Sequence, residues 1–206
     1  MPTSSEAEEN LRVIRSLMEK ATIYRAVSAP TALAAGIAAL LVAAPPIRAI
    51  FDHWGVDSSF HLRWLAALLL TLLVNAGLIL REARRRGDPL ISPGMRAAFR
   101  ALLPPFVCGG IFFSVFAADK APGYLAMFYG LGLLATGHFA PGSIVWLGWS
   151  FLLAGLVVFL VDLSGQLAPV ATPDLAMIST FGGFHFVYAT CTWPRKASAT
   201  TNSGPS

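Results

Sequence analysis

The chain is short of charge: only 13% of its 206 residues are Asp, Glu, Lys or Arg, against 55% hydrophobic, where an ordinary soluble domain carries roughly 25% charged residues. A soluble fold of this size has too little interior to hide that much apolar surface. Cysteine is nearly absent, with two residues in all; Cys108 falls in the third expected helix and Cys191 at the inner end of the sixth, so a disulfide is not expected and both read as packing residues. Phosphate-binding loops of the Walker type and dinucleotide fingerprints are missing as well, which removes the common nucleotide-dependent enzymes. Long stretches without any charge are what the chain does have.

Five such runs stand out: Val27 to Ile47, Trp64 to Leu80, Ala101 to Ala118, Ala121 to Val161 and Leu175 to Pro194. About 20 helical residues cross a hydrocarbon core of roughly 30 Å, so four of the runs each fit one crossing. The fourth is twice as long and is interrupted by "HFAPGS", where Pro141 and Gly142 favour a tight turn. The reading is therefore all-α: a membrane bundle of six transmembrane helices at about 27–47, 63–80, 101–118, 122–140, 143–162 and 174–193. An amphipathic cytoplasmic helix is expected over residues 1–26 and a disordered cytoplasmic tail over 194–206.

Charge sets the sidedness. With the N-terminus inside, twelve Lys and Arg fall in inner segments, and only Arg48, Arg63 and Lys120 in outer ones. That asymmetry places both termini in the cytoplasm. Tryptophans agree, with Trp54 and Trp64 at the expected outer boundary and Trp146, Trp149 and Trp193 at the inner one. The basic stretch "LREARRRGDPLISPGMRAAFRALLPP" is then the cytoplasmic loop between helices 2 and 3. In its second half Met95, Phe99 and Leu102 recur at helical spacing, with Arg96 and Arg100 on another face, as in a short helix lying along headgroups. Arg84, Arg85, Arg86, Arg96 and Arg100 are the expected contacts with anionic lipid, whose bilayer is the principal partner. Nucleic acid is not expected, because the loop is short, tethered at both ends and without a recognition motif.

Leu11, Ile14, Met18 and Ala21 follow helical spacing near the N-terminus, and this helix is expected to lie on the membrane, to dock a protein partner, or to pair with itself. Its acidic, polar beginning argues against a cleaved secretory signal at "LVAAP". Pro30 suits the first turn of helix 1. Ala32 with Gly36, and Ala35 with Ala39 and Ala43, stand four apart, a spacing that lets a neighbouring backbone come close. Thr71 and Asn75 share a face of helix 2 and are expected to make an interhelical polar contact. A faint echo between "PTALAAGIAALL" and "PGYLAMFYGLGLL" has the form of an inverted transporter repeat, although apolar helices of low complexity match each other by chance.

Candidate chemistry is sparse. His53, Asp57 and His61 offer metal-ligand types in the outer loop, yet on a straight helix the two histidines would stand about 12 Å apart along the axis, so interfacial polarity explains them better. His138 and His185 are the histidines within the apolar runs, and a pair on neighbouring helices suits axial haem ligation, with Gly130, Gly132 and Gly137 leaving room for a flat group. His138 lies near the inner boundary and His185 deeper, which works against opposition across one iron; no cofactor is assigned. Six helices with a histidine in the last resemble rhomboid proteases, but G-x-S-G is missing and "DLSG" at Ser164 and "PGSI" at Ser143 do not replace it. Asn75, Thr71, His138, Thr136, His185 and Thr180 are the polar residues from which a path for a neutral solute would have to be built.

"LREARRRGDPLISPGMRAAFRALLPP" and "YGLGLLATGHFAPGSIVWLGWSFLLAG" resemble blocks of uncharacterised bacterial multi-pass membrane proteins, over roughly residues 20–190. The resemblance implies a bacterial inner membrane and no particular activity, cofactor or site. A non-enzymatic regulatory or scaffold subunit is the expectation, with a small neutral-solute transporter second and a haem-binding membrane subunit third.

Overall fold

The computed structural model describes residues 28–53, 59–86, 93–115, 120–137, 140–165 and 172–193, together with Glu6, Glu8 to Leu11 and Val13. Most of the expected N-terminal helix, Trp54, Asp57, His138 and the tail 194–206 lie outside the described residues. Among those described the structure is helical throughout: α1 Ala29–Ala43, α2 Pro45–His53, α3 Ser59–Arg86, α4 Pro93–Val115, α5 Ala121–Ala135, α6 Gly142–Leu163, α7 Pro173–Met177, a π-helical turn Ile178–Gly183, and α8 Phe184–Thr192.

Phe60–Arg85, Met95–Val115 and Gly142–Leu163 are each long and apolar enough to cross a membrane, and α1 with α2 makes a fourth if that bent pair is one span. The bend is 58°, and its cause is Pro45–Pro46. Neither proline has an amide hydrogen, so the carbonyl of Val42 loses the donor that a regular helix would offer from residue 46. At the start of α1, Pro30 occupies the first turn, where the same lack costs little.

Helix limits depart from the sequence reading where local chemistry continues or stops a helix. Met95, Phe99 and Leu102, which the spacing puts on a short helix of their own, lie on the first turns of α4, which runs on through Pro104 and Pro105. The alternation of Met95 and Ala98, both buried, with exposed Arg96, Phe99 and Arg100 belongs to one continuous helix. α5 is shorter than expected, ending at Ala135 before a turn over Thr136 and Gly137.

α5 and α6 run antiparallel, Gly123 meeting Phe159 and Gly130 meeting Leu152. α5 and α6 form the tightest pair, because glycines bring their backbones together: a methyl placed on Gly130 would stand 2.5 Å from the Leu152 nitrogen, and one on Gly155 would stand 2.6 Å from that of Met127. Lipid gives helices no hydrophobic reason to associate, so close backbone packing of this kind supplies the attraction. α4 packs on α5 and α3 on α1, while α1 also meets the π turn and α8, where Gly36 accepts the ring of Phe186. Two cores result. One gathers Ala32, Leu133, Ile144, Leu147, Phe151 and Tyr188; the other gathers Ala38, Ala39, Phe60, Trp64, Tyr124 and Met177.

A candidate binding cleft between two helices

A cavity of about 250 Å³ opens between α3 and α4. α3 contributes Trp64, Leu65, Ala67, Leu68 and Thr71 to its walls, and α4 contributes Pro105, Phe106, Gly109, Gly110 and Phe113. Ala35 and Ala39 of α1, Leu125, Phe128 and Tyr129 of α5, and Met177, Phe181 and His185 close the back. At one end His61 of α3 meets Phe113 of α4, with ring centroids 4.7 Å apart.

A buried ion cluster stands beside that end. Asp174, in the first turn of α7, receives Arg63 Nη1 on Oδ1 and Arg63 Nη2 on Oδ2, each at 3.1 Å. Trp64 Nε1 donates to the same Oδ1 at 3.0 Å. Arg48 of α2 places its Nε 3.5 Å from Oδ2. The planar guanidinium suits this two-point grip, and its Nη1 has a second duty, donating to the Val42 carbonyl at 2.9 Å. That is the acceptor orphaned by Pro46. Arg63 is 3% exposed and Asp174 7%, a depth at which an unpaired charge would be strongly unfavourable. Lys120, the third basic residue expected on the outside, also faces an acid, with Nζ 2.7 Å from Asp162 Oδ2.

These contacts add what boundary positions alone do not show. Trp64, expected at the outer boundary, is buried in the protein, forms a wall of the cleft and donates to a carboxylate. Arg63, expected in an outer segment, and Asp174, at the expected start of the last span, make a buried pair between residues 111 apart in sequence. A basic residue just before "WLAALLLTLL" and an acid just before "LAMISTFGG" were the available signals, but their meeting depends on how the first and last segments dock.

At the back of the cleft, His185 Nδ1 lies 2.6 Å from the Phe181 carbonyl. A carbonyl oxygen only accepts, so Nδ1 carries a proton and donates. In the neutral ring Nε2 is then the acceptor, and the Tyr129 hydroxyl donates to it at 3.0 Å. Phe151 meets both Tyr129 and His185 edge-to-face, at 4.7 and 5.4 Å between centroids. The π turn, a form often found at functional sites, brings Phe181 into the same group. Iron ligation would need the Nε2 that Tyr129 now engages, and the expected second ligand, His138, lies outside the described residues.

The other candidates are dispersed. Asn75 accepts from Thr31 of α1 at 3.2 Å, an interhelical contact, whereas Thr71 donates to its own helix at the Ala67 carbonyl. Thr136 and Thr180 likewise bond local carbonyls, of Leu133 and Ala176. Of the polar residues named for a solute path, Thr71 and His185 share the cleft. His53 is exposed on α2 and His61 is half-buried against Phe60 and Phe113, while Asp57 is outside the described residues; no three His, Cys, Asp or Glu side chains converge among those described. Arg84, Arg85, Arg96 and Arg100 are exposed at the facing ends of α3 and α4, and Arg86 ends α3. Compared with protein-family models, curated proteins and solved structures, the chain matches none of them.

Proposed function

We propose that the chain is a six-span protein of a bacterial inner membrane, with both termini in the cytoplasm, and that it acts as a non-enzymatic regulatory or scaffold subunit. The reading takes α1 with α2, α3, α4, α5, α6 and the segment Pro173–Thr192 as the six crossings. Pro173–Thr192 is helical from end to end, the π turn included, and at 1.5 Å per residue reaches about 30 Å. Inward placement of both termini rests on the basic residues clustered at the α3–α4 loop, in contrast to Arg48, Arg63 and Lys120, which are engaged with carboxylates at the other end.

One observation carries the non-enzymatic part. The four polar side chains bordering the cleft each direct their donor hydrogen within the chain: Tyr129 to His185 Nε2, His185 to the Phe181 carbonyl, Trp64 to Asp174, and Thr71 to the Ala67 carbonyl. Such a cavity selects an occupant by shape and apolarity. Partner contact is assigned to the N-terminal helix and the basic loop. Reporter fusions after Arg86 and after Lys120 are expected on opposite sides of the membrane, and crosslinking in native membranes is expected to join one partner to residues 1–26, with the link lost on their deletion. Two reporters on one side, or substrate turnover by the purified chain alone, would overturn the proposal.

A further inference from the structure

We infer that the α3–α4 cleft seats one acyl chain of an anionic phospholipid, whose phosphate lies against Arg48 beside the buried Arg63–Asp174 pair. The inference deepens the membrane-subunit reading and rests on it.

Dimensions come first. The cleft follows α3 from Trp64 to Thr71 and α4 from Pro105 to Phe113, so at 1.5 Å per residue it is about 10 to 12 Å long. Half of a hydrocarbon core of roughly 30 Å is about 15 Å, which is the depth that one lipid chain occupies in its leaflet. Apolar cavities of about 150 Å³ already accept benzene, and this one, at about 250 Å³, is larger and elongated. It is bounded laterally by α3 and α4, whose Leu65, Leu68 and Phe106 are themselves exposed, so a chain enters from the bilayer without crossing any polar barrier.

Charge fixes the orientation. The end marked by Trp64 adjoins a cluster in which two guanidinium groups share one carboxylate. Arg63 is buried with its Nε unpartnered among the described residues, whereas the Arg48 side chain is 46% exposed and meets Asp174 at the long distance of 3.5 Å. Arg48 is thus the member available to an outside anion, and Asp52, exposed one turn further along α2, is the nearest competing acid on that helix. A phosphate here puts its glycerol and chain in line with the cleft, and the head at the outer boundary.

The test uses the full chain in nanodiscs with Trp54, Trp146, Trp149 and Trp193 replaced by Phe, leaving Trp64 as the reporter in the cleft wall. Lipids brominated on the acyl chain quench an indole they touch. Brominated phosphatidylglycerol, added to a zwitterionic background, should quench Trp64 at about fivefold lower mole fraction than brominated phosphatidylcholine, the preference expected from one basic residue near a headgroup. Arg48→Gln should abolish that preference. Gly110→Leu should remove the quenching itself: its new side chain projects into open space, since nothing lies within 4 Å of a Cβ there, and a leucine favours the helix more than glycine does. Quenching unchanged by Gly110→Leu would overturn the seat, and equal quenching by the two lipids in the parent would overturn the headgroup assignment. Water-soluble quencher reaching Trp64 while no lipid does would instead sink the membrane reading beneath both.

Discussion

Removing Asp174 should be among the most damaging single changes to this bundle, and the reason lies in what it would abandon. Asp174→Ala leaves the Arg63 guanidinium 3% exposed without its bidentate partner, and breaking one side of a buried pair costs about 3–5 kcal/mol. Arg63→Met is harmful for a related reason, since Asp174 keeps Arg48 and Trp64 but the Val42 carbonyl loses its donor. The double variant removes both charges at once. What it leaves unpaired is neutral, namely the Val42 carbonyl and the Trp64 indole N–H, at about 1–3 kcal/mol each. Its total loss should therefore be about 2–6 kcal/mol, well short of the sum of the single losses. Reversible unfolding in mixed detergent micelles, followed by circular dichroism, measures all four corners of the cycle. Additive losses would refute the claim that the two charges are buried against each other. Arg63→Lys adds a control: a point charge cannot grip both carboxylate oxygens and the carbonyl together, so it should recover only part of the stability.

Three further outcomes follow from named contacts. Gly155→Ala should lower the unfolding midpoint by an amount equivalent to about 1–3 kcal/mol, because its methyl would stand 2.6 Å from the Met127 nitrogen, whereas Gly77→Ala, with nothing within 4 Å, should be neutral or stabilising by up to about 1 kcal/mol; equal effects would contradict the α5–α6 packing. Tyr129→Phe should cost about 1–3 kcal/mol by leaving His185 Nε2 without a donor, and a variant as stable as the parent in the same assay would count against that hydrogen bond. Arg96→Glu with Arg100→Glu should increase protease cleavage within residues 87–92 in anionic vesicles, as should added salt, since exposed charges are screened within about 8 Å at physiological ionic strength; cleavage unchanged by both would remove lipid from the account of that loop.

How much of this was legible beforehand depended on the range of the interaction. The apolar runs predict helices because a membrane leaves a backbone few other ways to satisfy its hydrogen bonds, and α3, α4 and α6 lie where the runs are. Local breakers were legible too: Pro141 and Gly142 mark the start of α6. Pro45–Pro46 was swallowed in a single span, since composition alone does not show that an arginine 21 residues away will satisfy the stranded carbonyl. The Arg63–Asp174 pair was hidden for the same reason, because each residue sits at the edge of an apolar run, where a charge ordinarily faces water. The cleft was beyond reach, being a property of two helices that fail to fill the space between them.

That failure has a cause in the chain. α3 rests mainly on α1, and α1 on the π turn and α8, which Arg63, Arg48 and Asp174 tie together at one end. α4 rests on α5, and α5 is locked to α6 by its glycines. These two sets of close pairs meet in both cores, where Ala32 and Tyr188 pack with Leu133 and Ile144 and where Ala38, Phe60 and Trp64 pack with Tyr124, and at the back Tyr129 of α5 bonds His185 of α8 while Phe151 of α6 meets both rings edge-to-face. The α3-to-α4 connection is where the chain passes from one set to the other, so the seam between these two helices is the one that no tight pair closes. Large side chains would have filled it. Instead Ala35, Ala39, Ala67, Gly109 and Gly110 stand on its walls, and in a membrane, where an unfilled apolar seam open to the side is exposed to lipid, their small size makes room for a chain that the protein itself does not supply.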